Sequence, residues 1–369
     1  PEVLLDVLDV ILFYIERGAN LIRLDAIAYL WKEIETTCIH LPQTHAVVKL
    51  LRAVIDEIAP TVLLITETNV PHEENVSYFG NGKDEAHLVY QFSLPPLTAH
   101  ALLTGSSAYL REWAKSLKLP SDQTSFFNFT ASHDGVGVRP VTGILPEKEL
   151  ETLLMKAQAH GGRISSKNNS DGTTSPYELN INYFDLINDP FSNEDRNIQV
   201  DRFIASQAMM LMLKGIPGVY LHSIVGSRND YSGVQKSGQA RSINREKLNY
   251  EALSRELRDG GSLRNAVFRK YQRLLKIRIR EKAFHPSGEQ HVIDVGDSVF
   301  AVIRTSLGRS EKIIALQNVT EEVQEIDIAE AIVERSERPQ WVDVISGKSY
   351  SIPSLVLNPY QTIWLKYPE

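Results

Sequence analysis

The sequence predicts an α/β protein built on part of a (β/α)8 (TIM) barrel, followed by a small antiparallel β domain. Strand-like and helix-like segments alternate from the first residues to about residue 280, which is typical of a parallel sheet. Candidate functional side chains follow directly after strands, as catalytic residues do in barrels. After about residue 284 the pattern changes to short β-type runs separated by turn residues.

The barrel-like region opens on a helix and contains five strand-like runs. An apolar stripe from Val3 to Ile15 has helical spacing, and Gly18 is suited to ending that helix. The strand-like runs are 21–24, 62–66, 88–92, 126–130 and 218–221, and the helical runs are 44–59, 106–117, 147–160, 197–213 and 262–281. Because a closed barrel needs eight strands, these correspond to about strands 4 to 8. We therefore expect an N-terminally truncated chain, with about three strand–helix units missing before residue 1.

The predicted domains are the C-terminal part of a catalytic barrel, residues 1–284, and a C-terminal β domain, residues 285–369. Two long loops interrupt the barrel pattern, at 161–197 and 221–249. The first is rich in Ser, Asn, Asp and Gly, and both are longer than a plain connection requires, so we expect them to have a functional role.

Composition narrows the class of protein. Of the 369 residues, 43% are hydrophobic and 23% are charged, which is ordinary for a globular protein, and the net charge of −7 disfavours nucleic acid or an anionic membrane as a partner. Cys38 is the single cysteine, which excludes an intrachain disulfide and fits a reducing compartment. We expect a cytoplasmic protein that acts on a small molecule, with no nucleic-acid or membrane partner; the oligomeric state stays open.

Three carboxylates follow strand-like runs: Asp25, Glu67 and Asp134. A retaining glycosidic enzyme needs one carboxylate to attack the sugar and another to give and take a proton, and a third could hold the distorted ring. Arg23 and Asp25 share one face of a strand, so the arginine would keep the carboxylate ionised. An ordinary buried Arg–Asp pair would leave the same pattern, and Glu67 alone could equally be a structural hydrogen-bond acceptor.

Two neighbouring features fit a sugar site. His133 and Asp134 could form hydrogen bonds with adjacent sugar hydroxyls. Tyr29, four residues past Asp25, could stack on a sugar ring or pack beneath its loop. A His–Asp pair can also bind a metal, but no other histidine stands at ligand spacing, so we predict no metal site.

Together these segments resemble the α-amylase superfamily, glycoside hydrolase family 13. The matching motifs are Ile22-Arg-Leu-Asp-Ala-Ile, Leu64-Ile-Thr-Glu-Thr and Phe129-Thr-Ala-Ser-His-Asp, in the family's order. Within the superfamily the chain is most similar to the branch of the sucrose phosphorylases and glucosylglycerate phosphorylases. His160-Gly-Gly-Arg-Ile-Ser, Ser175-Pro-Tyr-Glu-Leu-Asn and Ser242-Ile-Asn-Arg245 resemble loop motifs of that branch.

The resemblance implies roles for these residues. Asp25 would be the nucleophile, Glu67 the acid/base and Asp134 the stabiliser of the oxocarbenium-like ring. Substrate-binding residues would be Arg23, Tyr29, His133, Tyr177, Glu178 and Arg245. Sucrose phosphorylases typically have Gln where this chain has Glu178, which favours a sister substrate such as glucosylglycerate or a phosphorylated sucrose.

The implied activity is that of a glycosyltransferase, a disaccharide phosphorylase that releases α-glucose 1-phosphate with inorganic phosphate as co-substrate and without any other cofactor. A hydrolase or an amylosucrase-type glucosyltransferase would use the same carboxylates, and a non-catalytic sugar-binding relative is the alternative from another class. The family's first conserved region is absent, and with it the Asp that pairs with an Arg at the position of Arg245. For that reason we expect the 369-residue chain alone to be inactive.

Overall fold

The structure is a computed structural model that describes residues 2–169, 171–329 and 340–367. The chain divides into two compact units, one formed by residues 1–92 and 118–127 and the other by 93–117 and 128–369. Within the described ranges, no helix is both long and apolar enough to cross a membrane. The predicted domain boundary near residue 284 stays a prediction.

The first unit is built on parallel strands that alternate with helices. Its elements are α1 (Glu2–Glu16), β1 (Leu21–Leu24), α2 (Pro42–Ile58), β2 (Leu63–Thr66), α3 (His72–Val76), β3 (Leu88–Tyr90) and β4 (Ser125–Asn128). Strands β1, β2, β3 and β4 are hydrogen-bonded in that order, and all three pairings are parallel. This arrangement sets the carboxyl ends of the strands side by side at one edge of the sheet.

Helix α2 packs against this sheet through one apolar face. The helix turns Val48, Leu51 and Ile55 inward at helical spacing, and all three are at most 2% exposed. Leu51 and Ile55 share an apolar cluster with Leu64 of β2 and Ile11 of α1. The strands predicted at 21–24 and 62–66 are observed at Leu21–Leu24 and Leu63–Thr66, so the predicted and observed bounds agree within one residue.

The second unit opens with helices and an antiparallel sheet. Its elements up to residue 280 are α4 (Leu94–Thr104), α5 (Ala108–Ser116), β5 (Val136–Gly137), α6 (Glu147–Ala159), β6 (Arg163–Asn168), β7 (Thr174–Asn180), α7 (Tyr183–Ile187), α8 (Arg196–Met212), β8 (Ile216–Pro217), α9 (Leu221–Ile224), α10 (Tyr231–Ser237), α11 (Tyr250–Arg258) and α12 (Leu263–Arg280). Strand β7 pairs with both β5 and β6 in antiparallel fashion.

Four local predictions differ from this structure. The predicted loop 161–197 contains the hairpin β6–β7 and helix α7, although residue 170 lies outside the described residues. The predicted loop 221–249 contains the short helices α9 and α10. The predicted strand at 218–221 is wrong: the strand there is Ile216–Pro217, and Leu221 begins α9. Helix α4 is absent from the predicted elements; it contains Pro95 and Pro96 in its first turn, where prolines are tolerated.

The C-terminal part of the second unit is antiparallel, as predicted. Its strands are β9 (Glu289–Ile293), β10 (Val299–Thr305), β11 (Lys312–Asn318), β12 (Gln324–Asp327), β13 (Gln340–Asp343), β14 (Ser349–Ser351), β15 (Ser354–Leu357) and β16 (Thr362–Lys366). Six of them form one sheet in the order β14-β13-β16-β11-β10-β9, and β12 pairs with β15. Residues 330–339 and 368–369 of the predicted β domain lie outside the described residues.

Candidate active site

Asp25 and Glu67 lie at the carboxyl ends of neighbouring parallel strands. Leu24 of β1 is in register with Thr66 of β2, and each carboxylate residue comes directly after its strand. The Glu67 amide also donates a hydrogen bond to the Leu24 carbonyl, with an N–O distance of 3.1 Å. The structure therefore places this predicted pair together in the first unit.

Arg23 connects the two carboxylates. Its Nη1 atom lies 2.8 Å from Asp25 Oδ1, and its Nη2 atom lies 3.8 Å from Glu67 Oε2. The guanidinium also lies over the ring of Tyr90, with 5.6 Å between the guanidinium carbon and the ring centroid. Burial lowers the pKa of Arg23, but charge interactions with Tyr90, Glu67 and Asp25 outweigh burial and raise it overall. Arg23 is therefore a fixed cation beside both carboxylates.

Glu67 and Asp25 differ in their surroundings. The Glu67 side chain is 13% exposed and the Asp25 side chain 74% exposed. Glu67 Oε2 accepts a hydrogen bond from the Ala26 amide at 2.9 Å, and Ala26 has the left-handed φ of 46° that this turn requires. An enclosed, oriented carboxyl suits proton transfer, and an open carboxylate can be reached by a sugar carbon.

Tyr29 lies at the end of a short 3-10 helix (Ile27–Tyr29) and is 42% exposed. Lys32 Nζ lies 5.3 Å from the centroid of its ring. The sugar-stacking role proposed for this exposed ring stays a prediction.

In the second unit, Asp134 is the centre of a charged cluster. Asp134 Oδ1 lies 2.7 Å from Nη1 of Arg241 and 3.0 Å from Nη2 of Arg245, and Oδ2 lies 3.6 Å from Nε2 of His133. Arg245 also donates from Nε to the His133 carbonyl. The predicted residues His133, Asp134 and Arg245 are thus in mutual contact.

Glu178 belongs to the same cluster through Arg241. The glutamate is 1% exposed, and its two carboxylate oxygens accept hydrogen bonds from Arg241 Nε at 3.0 Å and Nη2 at 2.6 Å. The hydrogen bond to Glu178 is the main reason that the pKa of Arg241 is raised. The buried Glu178 side chain therefore influences the cluster by holding Arg241 in place. The Arg241 side chain itself is 42% exposed.

Gly135 allows Glu178 to come this close to the Asp134 segment. A Cβ atom at Gly135 would lie 2.4 Å from the Leu179 carbonyl oxygen and 2.6 Å from Glu178 Cγ, which is closer than real Cβ contacts. The pairing of β5 with β7 sets this approach, because Val136 is opposite Leu179. A residue without a side chain is required at this position.

Asn244 and Tyr220 hold the segment that carries both arginines. Asn244 Nδ2 donates to the carbonyls of Ser132, at 2.7 Å, and Asp134, at 3.1 Å. The Tyr220 hydroxyl donates to the Asn244 carbonyl at 2.8 Å, and burial raises the pKa of Tyr220 to about 12, so the hydroxyl stays protonated at neutral pH. The Arg241–Arg245 segment is thereby fixed against the backbone of Asp134.

Sequence reasoning missed Arg241, Asn244, Tyr90 and Tyr220. The spacing of Arg241 and Arg245 was the available signal, since both flank Ser242-Ile-Asn244. Tyr177, which is a predicted substrate-binding residue, is half-buried on β7, and its carbonyl accepts a hydrogen bond from the Val138 amide at 3.0 Å. In the part of the chain that the structure describes, no group of three or more His, Cys, Asp or Glu side chains could hold a metal ion.

Comparison with known proteins relates this geometry to a family. No protein-family model matches the chain. The chain is 47% identical over 373 residues to a glucosylglycerate phosphorylase of Spirochaeta thermophila, covering 99% of this chain and 63% of the relative. It is 43% identical over 366 residues to the Escherichia coli glucosylglycerate phosphorylase, covering 99% and 64%. A sucrose phosphorylase of Bifidobacterium adolescentis is 26% identical over 235 residues, covering 61% and 43%.

A solved structure shows the fold. The sucrose 6F-phosphate phosphorylase of Thermoanaerobacter thermosaccharolyticum superposes with a TM-score of 0.71 at 20% identity, covering 94% of this chain and 63% of that one. The predicted fold class, part of a (β/α)8 barrel with an antiparallel β domain, is confirmed.

The predicted resemblance to the α-amylase superfamily is confirmed as well. Within that superfamily, the chain is similar over 99% of its length to glucosylglycerate phosphorylases, and less so to sucrose phosphorylases, as the sequence predicts. It spans slightly less than two thirds of the length of the curated glucosylglycerate phosphorylases that it matches.

Proposed function

We propose that the protein is a retaining α-glucosyl phosphorylase that converts glucosylglycerate and phosphate into α-glucose 1-phosphate and glycerate. The observation that carries this proposal is the pair Asp25 and Glu67, held by one guanidinium at the ends of adjacent strands, in a chain that is 43–47% identical to glucosylglycerate phosphorylases. A double-displacement reaction needs an open nucleophile next to an enclosed acid/base.

In the first step, Asp25 would attack the anomeric carbon and form a covalent β-glucosyl-enzyme. The bond from that carbon to the glycerate oxygen breaks as Glu67 gives its proton to the oxygen. Arg23 would keep Asp25 ionised before the attack, since its charge favours the carboxylate. The Ala26 amide would keep the Glu67 carboxyl in one orientation through both steps.

In the second step, a phosphate oxygen would attack the same carbon and displace Asp25, while Glu67 accepts the phosphate proton. Both displacements invert the carbon, so the product retains the α configuration. We propose that Asp134 stabilises the positive charge of the oxocarbenium-like ring, with His133 and Arg245 binding the glucosyl unit. Inorganic phosphate is the only co-substrate in this proposal, and no other cofactor is required.

The choice of glucosylglycerate rests on two observations. Identity falls from 43–47% with glucosylglycerate phosphorylases to 26% with a sucrose phosphorylase. Glu178 is bound on both oxygens by Arg241, which a Gln at that position could not reproduce because its amide nitrogen is a donor. We propose that Glu178 fixes Arg241, and that Arg241 and Tyr177 rather than Glu178 meet the acceptor.

The proposal is tested in the synthetic direction with the protein expressed from its whole gene. Phosphate release from α-glucose 1-phosphate is followed with glycerate, fructose, fructose 6-phosphate, glycerol or water as the acceptor. We expect release that depends on glycerate and is lost in Asp25→Asn. Release with water alone would instead indicate a hydrolase, and release with fructose 6-phosphate alone would indicate a sister phosphorylase. Binding of glucose without turnover would favour a non-catalytic relative.

A further inference from the structure

A cleft in the second unit is lined by residues that the proposed reaction does not use. It has a volume of about 440 Å³, within the range of small-molecule sites. It lies where the end of α12 meets the turn between β10 and β11. Apolar side chains form part of its wall: Phe284 is 1% exposed, and Ile279 and Leu307 are 80% and 63% exposed. An apolar body of about one ring would fit against these residues.

Beneath the cleft, two arginines bind only backbone carbonyls. Arg278, which lines the cleft and is 8% exposed, donates to the carbonyls of Leu211, at 2.9 Å, and Gly215, at 3.1 Å. Arg304, which is fully buried, donates to the carbonyls of Met212, at 3.1 Å, and His285, at 2.7 Å. Among the residues that the structure describes, neither arginine forms an ion pair with a carboxylate.

The arginines cap the carboxyl end of α8, but this does not balance their charge. A helix end supplies about half a negative charge, against two guanidinium groups. Burial lowers the pKa of Arg278 to about 10. Burial and the neighbouring Arg278 lower the pKa of Arg304 to about 9. Both shifts fit a region in which positive charge is poorly compensated.

The carboxylates near the cleft are already engaged. Lys366 Nζ lies 2.8 Å from Glu281 Oε2 and 2.6 Å from Glu311 Oε2, and Glu311 Oε1 accepts from the Ala283 amide at 2.8 Å. Lys366 offsets one of these two charges. Lys282 lines the cleft, is exposed, and has no ion-pair partner among the described residues. Together with the two arginines, Lys282 gives the cleft an excess of positive charge.

His285 adds a donor at the rim. Its Nδ1 atom accepts a hydrogen bond from the Ser287 amide at 3.2 Å, so the neutral ring carries its proton on Nε2. Nε2 has no hydrogen-bond partner within the described residues. A donor and an unpaired ammonium group on the rim of an apolar cleft are the groups that recognise a phosphate or carboxylate on a small organic molecule.

We propose that the cleft between α12 and the β10–β11 turn binds a small organic anion, with its charged group against Lys282 and His285 and its apolar body against Ile279 and Leu307. The proposal is independent of the proposed phosphorylase reaction, because none of the predicted site residues lines the cleft.

Titration calorimetry with phenyl phosphate, benzoate and phenol tests the proposal on the protein expressed from its whole gene. Phenyl phosphate and benzoate distinguish the two anionic groups, and phenol reports the apolar contribution alone. We expect saturable binding of at least one anion at concentrations up to about 10 mM and much weaker binding of phenol. Hydrogen exchange should show protection by that anion at residues 279–286 and 306–311, which separates this cleft from the proposed active site.

Two variants and a matched control complete the test. Lys282→Gln should weaken binding of the anion about tenfold, as expected for loss of one charge-assisted hydrogen bond. Leu307→Glu, at an exposed position, should abolish binding by adding a negative charge to the wall. Lys156→Gln, an exposed lysine on α6, should leave the affinity unchanged. Equal affinity in Lys282→Gln and the natural protein, equal binding of phenol, protection elsewhere, or no anion binding would overturn the proposal.

Discussion

Removal of Arg241 should destabilise the protein, and removal of Glu178 at the same time should restore part of the loss. Both Glu178 oxygens accept hydrogen bonds from Arg241, and the glutamate is 1% exposed. Arg241→Gln would leave a buried carboxylate without its cation, which costs about 3 kcal/mol in the free energy of unfolding; we take the low end of the range because Arg241 is partly exposed.

Glu178→Gln alone should lower the free energy of unfolding less than Arg241→Gln does. Glu178→Gln removes the buried charge and leaves Arg241 its ion pair with Asp134, so we expect a loss of about 1 kcal/mol. In the double variant no buried charge is left unpaired, and the loss should be about 2 kcal/mol, smaller than the two single losses together. The coupling energy between the two residues is then about 2 kcal/mol.

Urea denaturation of the four proteins measures this coupling, provided that the m-value stays constant among them. Arg258→Gln, at an exposed arginine on α11, is the matched control and should change stability by less than about 0.5 kcal/mol. Single losses that simply add in the double variant would refute the reasoning, since Glu178 would then not depend on Arg241 for its charge compensation.

Three further changes have defined outcomes. Arg23→Lys keeps the charge but not the planar fork between Asp25 and Glu67, so kcat/KM should fall about 100-fold in the phosphate-release assay, and an unchanged value would contradict the positioning role. Gly135→Ala should lower stability by about 2 kcal/mol through its clash with Glu178 and the Leu179 carbonyl, whereas Gly260→Ala, which faces open space, should be nearly neutral in the same denaturation experiment. Burial, with Arg52 nearby, lowers the pKa of His87 to about 4 in the folded protein. The unfolded chain binds a proton at this histidine near pH 6.5, so the free energy of unfolding is unaffected above pH 6.5 and decreases as the pH falls toward 4. Between pH 7 and 4.5 the natural protein should lose about 2 kcal/mol more than His87→Gln does, and equal losses would rule out this explanation.

The sequence was most informative where an apolar strand ends in a polar residue. Arg23, Asp25 and Glu67 could be predicted together because parallel strands in register bring their carboxyl ends to one edge. Apolar runs and helical spacing predicted β1, β2 and α2 within about two residues, since three consecutive residues of β2 are buried and α2 turns one apolar face inward.

Contacts distant in sequence could not be predicted from local patterns. Arg241 and Glu178 are separated by 63 residues, and their contact depends on the packing of the segment Ala240–Asn244 against β7. The sequence predicts a loop where the hairpin β6–β7 lies, because β6 is mostly polar and has no fully buried residue. Its strand pairing is stabilised by backbone hydrogen bonds that leave no alternating apolar signal.

The most direct test of the proposed chemistry is to trap the sugar on Asp25. Glu67→Gln, in the protein expressed from its whole gene, is incubated with α-glucosyl fluoride, whose leaving group needs no protonation, and the digested protein is examined by mass spectrometry. We expect one glucosyl unit on the peptide that contains Asp25, removed by added phosphate or azide, and none in Asp25→Asn/Glu67→Gln. A glucosyl unit on another residue, or none while the donor is consumed, would contradict the assignment of Asp25 as the nucleophile.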